Sequence, residues 1–335
     1  MFMLTACGKE SGESHLGEGM KLIENADYDG ALSEFEEGLS SGENKELLLR
    51  GKGLAYIGKT QYADAVSSFL DALHECDGDV TDLEIDINYY LALAYYRSGM
   101  LTESYDAYTS ITDLEPEEAD AYFSRGEVLL AMGSFELAKA DFDKAVGLAG
   151  DNYSMYILIF QSLDKYGYHD EGISYLENAM NAGSKTMSDY DRGRICFYMG
   201  DYENACAYLD EASKISSSEE VTLALGQSYE ATGDINFAAS IYTNYIANYG
   251  ASAAIYNQLG LCRMASGDYE AALSAIESGI SMNNMDVLQT LKYNEIVCYE
   301  YLGDFTKAKV LMESYLSNYP DDAAAQREYD FLKTR

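Results

Sequence analysis

The sequence predicts an all-α solenoid: about nine helix–turn–helix units in a row, closed by one further helix. Three features of the chain lead there. Seven glycines, Gly99, Gly133, Gly167, Gly200, Gly233, Gly267 and Gly303, recur at spacings of 34, 34, 33, 33, 34 and 36 residues. The segments around them share one pattern, seen in MGSFELAKADF, MGDYENACAYL, TGDINFAASIY, SGDYEAALSAI and LGDFTKAKVLM. Only 2 prolines occur in 335 residues, against 31 tyrosines and many Ala, Leu and Glu, so little interrupts a helical backbone. A unit of this length cannot bury its apolar face alone and must stack on its neighbours.

Each position of the pattern has a physical reason. Glycine ends the first helix because it accepts the left-handed conformation there at no steric cost. The Asp that often follows can cap the second helix by accepting its free N–H groups. A recurrent small residue then places the units along the chain: 12–45 (Ala31), 46–79 (Ala65), 85–118 (Ser104), 119–152 (Ala138), 153–186 (Gly172), 186–219 (Ala205), 219–252 (Ala238), 253–286 (Ala272) and 289–322 (Ala308). Three residues before each stand Tyr28, Tyr62, Leu101, Phe135, His169, Tyr202, Ile235, Tyr269 and Phe305, all but His169 large and apolar or aromatic. Twelve residues before stands a second small residue, Gly19, Gly53, Ala92, Gly126, Gly193, Gly226 or Gly260, which lets two antiparallel helices approach closely. A third, seven residues after (Ala72, Ala145, Ala179, Ala212, Gly38, Gly279), lets the next unit stack. Unit five departs, with Phe160 at the second small position, and unit nine has Ile296 there. Between units two and three the spacing stretches to make room for HECDGDVTDLE. Residues 323–335 read as an amphipathic capping helix, which an open stack needs.

This pattern resembles the tetratricopeptide repeat family over residues 12–322. The family's proline after the second helix stands at Pro116 and Pro320; Tyr122, Tyr156 and Tyr256 replace its tryptophan. The resemblance implies a right-handed α–α superhelix whose first helices line a concave groove that holds a protein or peptide ligand. Projecting helix positions onto that groove gives Arg50, Tyr89, Tyr96, Arg97, Phe123, Glu127, Gln161, Lys165, Tyr190, Arg194, Phe197, Tyr198, Gln227, Asn257, Tyr293 and Tyr301. Basic and aromatic residues exceed chance only slightly there, so about half are expected to pack between helices. Tyr190, Arg194, Phe197 and Tyr198, on one helix beside the irregular unit five, are the expected hot spot, where Tyr offers flat apolar area with a polar tip. The basic and Asn clamp with which some family members hold a chaperone's C-terminal carboxylates is not reproduced in three consecutive units. A glycan or peptide surface-binding protein is the alternative use of such a groove.

Charge and motifs narrow the function further. With 57 acidic against 22 basic residues the formal charge is −35, and such a chain is repelled by phosphate backbones, so no nucleic-acid partner is expected. It also disfavours an anionic lipid surface. Cys76, Cys196, Cys206, Cys262 and Cys298 form no CxxC pair and read as small buried hydrophobes. His15, His74 and His169 fall on unrelated units, and no phosphate loop, GxSxG, HExxH or Cys–His signature is present. Asp77, Asp79 and Asp82 lack the glycine and closing glutamate of a calcium loop and read as a solvated turn. The expectation is a non-enzymatic scaffold with no cofactor and no metal.

The first ten residues, MFMLTACGKE, do not belong to the repeats. LTAC followed by Gly resembles the lipobox of bacterial lipoprotein signal peptides, with Leu4 at −3 and Cys7 as the lipid-bearing residue; residues 1–11 would be signal remnant and tether. A basic start and most of the apolar run that export requires are missing, so codons upstream are expected to supply them. The expectation is a lipid-anchored protein outside the cytoplasm, with membrane contact only through that anchor, and a cytoplasmic adaptor as the alternative.

Overall fold

A computed structural model describes residues 14–76, 81–183, 185–250, 252–320 and 322–335. Cys7, the segment 1–11, Asp77 and Asp79 lie outside them. Among the described residues there are nineteen α-helices and no strand, as the repeat pattern predicts. The chain forms two compact bodies, one up to Met132 and one from Gly133 onward.

The first body holds α1 (His15–Glu24), α2 (Tyr28–Ser41), α3 (Lys45–Gly58), α4 (Tyr62–Glu75), α5 (Asp82–Arg97), α6 (Leu101–Leu114) and α7 (Ala119–Ala131). The second holds α8 (Phe135–Ala149), α9 (Tyr153–Lys165), α10 (His169–Ala182), α11 (Asp189–Tyr198), α12 (Tyr202–Ile215), α13 (Glu219–Ala231), α14 (Ile235–Tyr249), α15 (Ala253–Ala265), α16 (Tyr269–Ser281), α17 (Met285–Tyr301), α18 (Phe305–Asn318) and α19 (Ala323–Leu332). Three helices start ahead of the expected repeat boundaries, α3 by the single residue Lys45. α5 begins at Asp82 rather than 85, because Thr81 and Glu84 close a capping box there; Asp82 is thus a first-turn residue. α17 begins at Met285 rather than 289, and its 17 residues account for the stretched spacing between Gly267 and Gly303.

Within each body consecutive helices pack against one another, and odd-numbered helices also touch the next odd one: α1, α3 and α5 in the first body, α9, α11, α13, α15 and α17 in the second. The even-numbered helices do not approach one another as closely, so the odd ones form the inner layer of each stack. At the hairpin turns, Gly99, Gly133, Gly167, Gly200, Gly233, Gly267 and Gly303 have φ between 75° and 88°. Ala26 and Thr60 take that conformation (φ 50° and 58°) in the first two hairpins, which is why the glycine period starts only at Gly99. Asp27, Asp201, Asp268 and Asp304 then accept backbone N–H groups of the second helix.

Inside each hairpin a knob fills a hole. A Cβ added at Gly53 would lie 2.4 Å from the Phe69 ring, and one at Gly226 would lie 2.3 Å from that of Tyr242. Both rings are fully buried and stand one turn beyond the recurrent alanine. Gly19 and Phe35, Gly193 and Leu209, and Gly260 and Ile276 repeat the arrangement. Unit five inverts it: Phe160 takes the place of the small residue, and Gly172 takes the alanine's place, where a Cβ would meet Phe160 at 3.0 Å. Of the five cysteines here, Cys196, Cys206, Cys262 and Cys298 are buried, and burial pushes the Cys262 thiol up to about 12, which leaves it unreactive at neutral pH.

Candidate protein-binding groove

In the first body three of the six groove residues expected from the sequence, Arg50, Tyr89 and Tyr96, serve the stack itself. Arg50 of α3 pairs with Asp86 of α5 and lies 5.5 Å over the Tyr90 ring, so it clamps two inner helices together. Tyr89 meets Tyr108 of α6 edge-on at 6.1 Å, and both Tyr89 and Tyr96 pack on the cluster of Ala92, Ile111, Ala121 and Val128. The Tyr89 hydroxyl is buried with no hydrogen-bond partner among the described residues, and burial, aided by Glu118, raises its pKa. Phe123 and Glu127 are half-buried on α7, and Arg97 is exposed at the end of α5.

The second body is different around α11. Its spacing puts Tyr190, Arg194, Phe197 and Tyr198 along the inner face, because residues three and four apart share a side of a helix. Arg194, Phe197 and Tyr198, with Ala224 and Gln227 of α13, line a cleft of about 60 Å³. Neighbours hold these side chains in place. Arg194 donates to Ser154 Oγ of α9 at 3.0 Å, and its guanidinium lies 5.3 Å over the Tyr190 ring. The Tyr198 hydroxyl accepts from Gln161 Nε2 at 2.9 Å. Phe197 meets Tyr198 edge-on at 5.4 Å, and Phe160, the residue that breaks the repeat, supports Tyr198 from 6.0 Å. Burial raises the Tyr190 pKa and Arg194 opposes the shift, so Tyr190 stays a neutral hydroxyl. The result is one cation, two aromatic rings and an amide converging on a small opening, suited to contact and orient a polar chain.

The remaining expected residues do not join it. Asn257 is buried and accepts from Asn294 at 2.9 Å, a tie between α15 and α17. Tyr293 sits edge-on to Tyr315 of α18 at 5.8 Å. Tyr301 lies flat on Tyr269 at 4.7 Å with 5° between the rings, and Lys165 covers the Tyr166 ring at 5.3 Å. Sequence reasoning missed Ser154 and Ala224, since a small residue carries no signal until its neighbours are placed. It also missed Leu158, an exposed apolar side chain one turn before Gln161.

Family profiles described as Tetratricopeptide repeat match residues 86–153 and 223–281, 190–219 and 293–322, together more than half of the chain. A TPR repeat-containing protein of Methanocaldococcus jannaschii is 26% identical over 246 residues, covering 69% of this chain and 42% of that protein. RNA polymerase-associated protein CTR9 of Caenorhabditis elegans is 23% identical over 229 residues, 64% of this chain and 19% of that protein. The chain thus spans under half the length of either relative. A solved tetratricopeptide repeat protein from Parabacteroides merdae superposes with a TM-score of 0.42 at 17% identity, covering 84% of this chain and 98% of that one.

Proposed function

This chain belongs to the tetratricopeptide repeat family, whose members are scaffolds for protein interaction, and on that premise we propose that it holds an extended protein segment at the cleft between α11 and α13. The observation that carries this reading is the convergence of Arg194, Phe197, Tyr198 and Gln227 on one opening. Each of the first three is already fixed by a neighbour, so little side-chain entropy is lost on binding. Gln227 and Gln161 carry amides that match backbone N–H and C=O groups, and the two rings match an apolar side chain between them. Arg194 supplies the positive charge at this opening, and it selects a segment with a carboxylate or a C-terminal carboxyl near the aromatic contact.

We read the chain as a binder and not an enzyme, because the side chains gathered here contact and orient and include no nucleophile beside a base. We read its place as the outer face of a membrane, tethered through lipid on Cys7, on the strength of the LTAC–Gly sequence alone. The test of the cleft is a selection of displayed peptides on the intact protein. Peptides it yields should lose at least tenfold in affinity when Phe197 and Tyr198 are both replaced by Ala, and fivefold or more with Arg194→Gln. Affinities unchanged in both variants would place the binding elsewhere on the stack.

A further inference from the structure

The first hairpin carries a cluster that the groove does not use. His15 is the first residue of α1, and Glu34 and Glu37 stand one turn apart on α2. His15 Nδ1 lies 2.8 Å from Glu34 Oε2 and 4.0 Å from Glu37 Oε2. One ligand atom from each of the three lies within 4.8 Å of the others. Two features fix the histidine there. Glu43 accepts the backbone N–H groups of His15 and Leu16, at 2.9 and 3.1 Å, one on each carboxylate oxygen, so it anchors the start of α1. Gly38, one turn beyond Glu34, leaves the space His15 needs: a Cβ there would come within 3.1 Å of the His15 Cβ.

We propose that His15, Glu34 and Glu37 bind a transition-metal dication of the zinc type, and that the ion ties α1 to α2. Nitrogen and carboxylate ligands sit about 2.0–2.2 Å from zinc, so in a tetrahedral shell two of them lie about 3.3–3.6 Å apart. The cluster is already within 4.8 Å, and Glu37, whose side chain is 66% exposed, is free to close the difference by rotation. One imidazole and two carboxylates leave a fourth position for water, the open tetrahedral arrangement zinc accepts. The imidazole nitrogen sets the selectivity. Calcium and magnesium take shells of oxygen ligands, whereas imidazole suits zinc, copper and nickel. Nothing in the spacing of the sequence marks the site, because its ligands come from two helices and are separated by 19 residues.

The test is calorimetric titration of the metal-stripped, full-length chain with zinc chloride, with calcium chloride as competitor. We expect one equivalent of zinc bound at the cluster, undisturbed by millimolar calcium, and a rise in the unfolding temperature on binding. His15→Ala should remove that equivalent. Glu37→Gln should weaken it at least tenfold while leaving the helical circular dichroism of the metal-free protein unchanged. Absence of zinc binding overturns the proposal, as does an equivalent that survives His15→Ala with the same affinity. Should His15→Ala lose helix content, Glu37→Gln decides, since an exposed side chain is replaced without loss of packing; unchanged affinity in that variant also overturns it.

Discussion

Gly226 and Tyr242 show what a single small residue does in this chain. The tyrosine ring occupies the volume a Cβ would need, 2.3 Å away, so Gly226→Ala must displace a fully buried ring. The cost expected for such overpacking is about 1–3 kcal/mol, read as a lower urea midpoint. Gly147 is the control: it lies exposed near the end of α8 with nothing within 4 Å of an added Cβ, and Gly147→Ala should stabilise by about 0.5–1 kcal/mol. Ala26 tests the turns in the opposite sense. It adopts φ 50° where later repeats use glycine, and a left-handed residue with a Cβ costs about 1–2 kcal/mol. Ala26→Gly should therefore raise the midpoint despite the extra freedom of the unfolded chain. The alternation of small and large positions was legible in the sequence. Which ring fills which glycine was not, because the knob lies sixteen residues from its hole and only the hairpin brings them together.

At the scale of helices, tyrosine hydroxyls and carboxylates fasten neighbouring elements. Tyr175 of α10 donates to Asp143 of α8 at 2.6 Å, Tyr229 of α13 to Asp210 of α12 at 2.7 Å, and Tyr242 of α14 to Glu230 of α13 at 2.6 Å. The abundance of both residue types thus has a structural use that composition alone does not show. Regular helical spacing placed the groove residues on the inner helices, yet Arg50, Asn257 and Tyr293 turned out to be engaged between helices. Spacing fixes the side of a helix, whereas engagement depends on what the adjacent helix presents. The last helices carry a pH dependence. Glu300 on α17 has a buried oxygen without a hydrogen-bond partner among the described residues, and burial together with Glu328 of α19 raises its pKa to about 7. Because the folded value lies above the unfolded one, its contribution is fully present below about pH 4.3 and is lost as pH rises through about 7. Glu300→Gln should leave the melting temperature unchanged at pH 4, raise it at pH 8, and flatten the profile between. A variant that melts like the parent at pH 8 would show that Glu300 ionises there without cost.

The whole molecule combines a net charge of −35 with a proposed lipid on Cys7. The two are compatible only in one arrangement. A body this acidic is repelled from an anionic leaflet, and the repulsion fades within a Debye length, about 8 Å at physiological salt. Repulsion would therefore hold the repeats off the bilayer, leaving the inner face of the helices open to a partner. A single acyl chain anchors only weakly, so the tether requires the diacylglyceryl group that the lipobox resemblance implies. The deciding measurement is the intact mass of the protein from its own host. The expected mass begins at Cys7 and carries the diacylglyceryl adduct, and the protein sediments with membranes until detergent is added. Cys7→Ala should then release it to the soluble fraction, and salt alone should not. An unmodified mass that includes Met1 would remove the anchor and leave the cleft at Arg194, Phe197 and Tyr198 to serve a partner inside the cell.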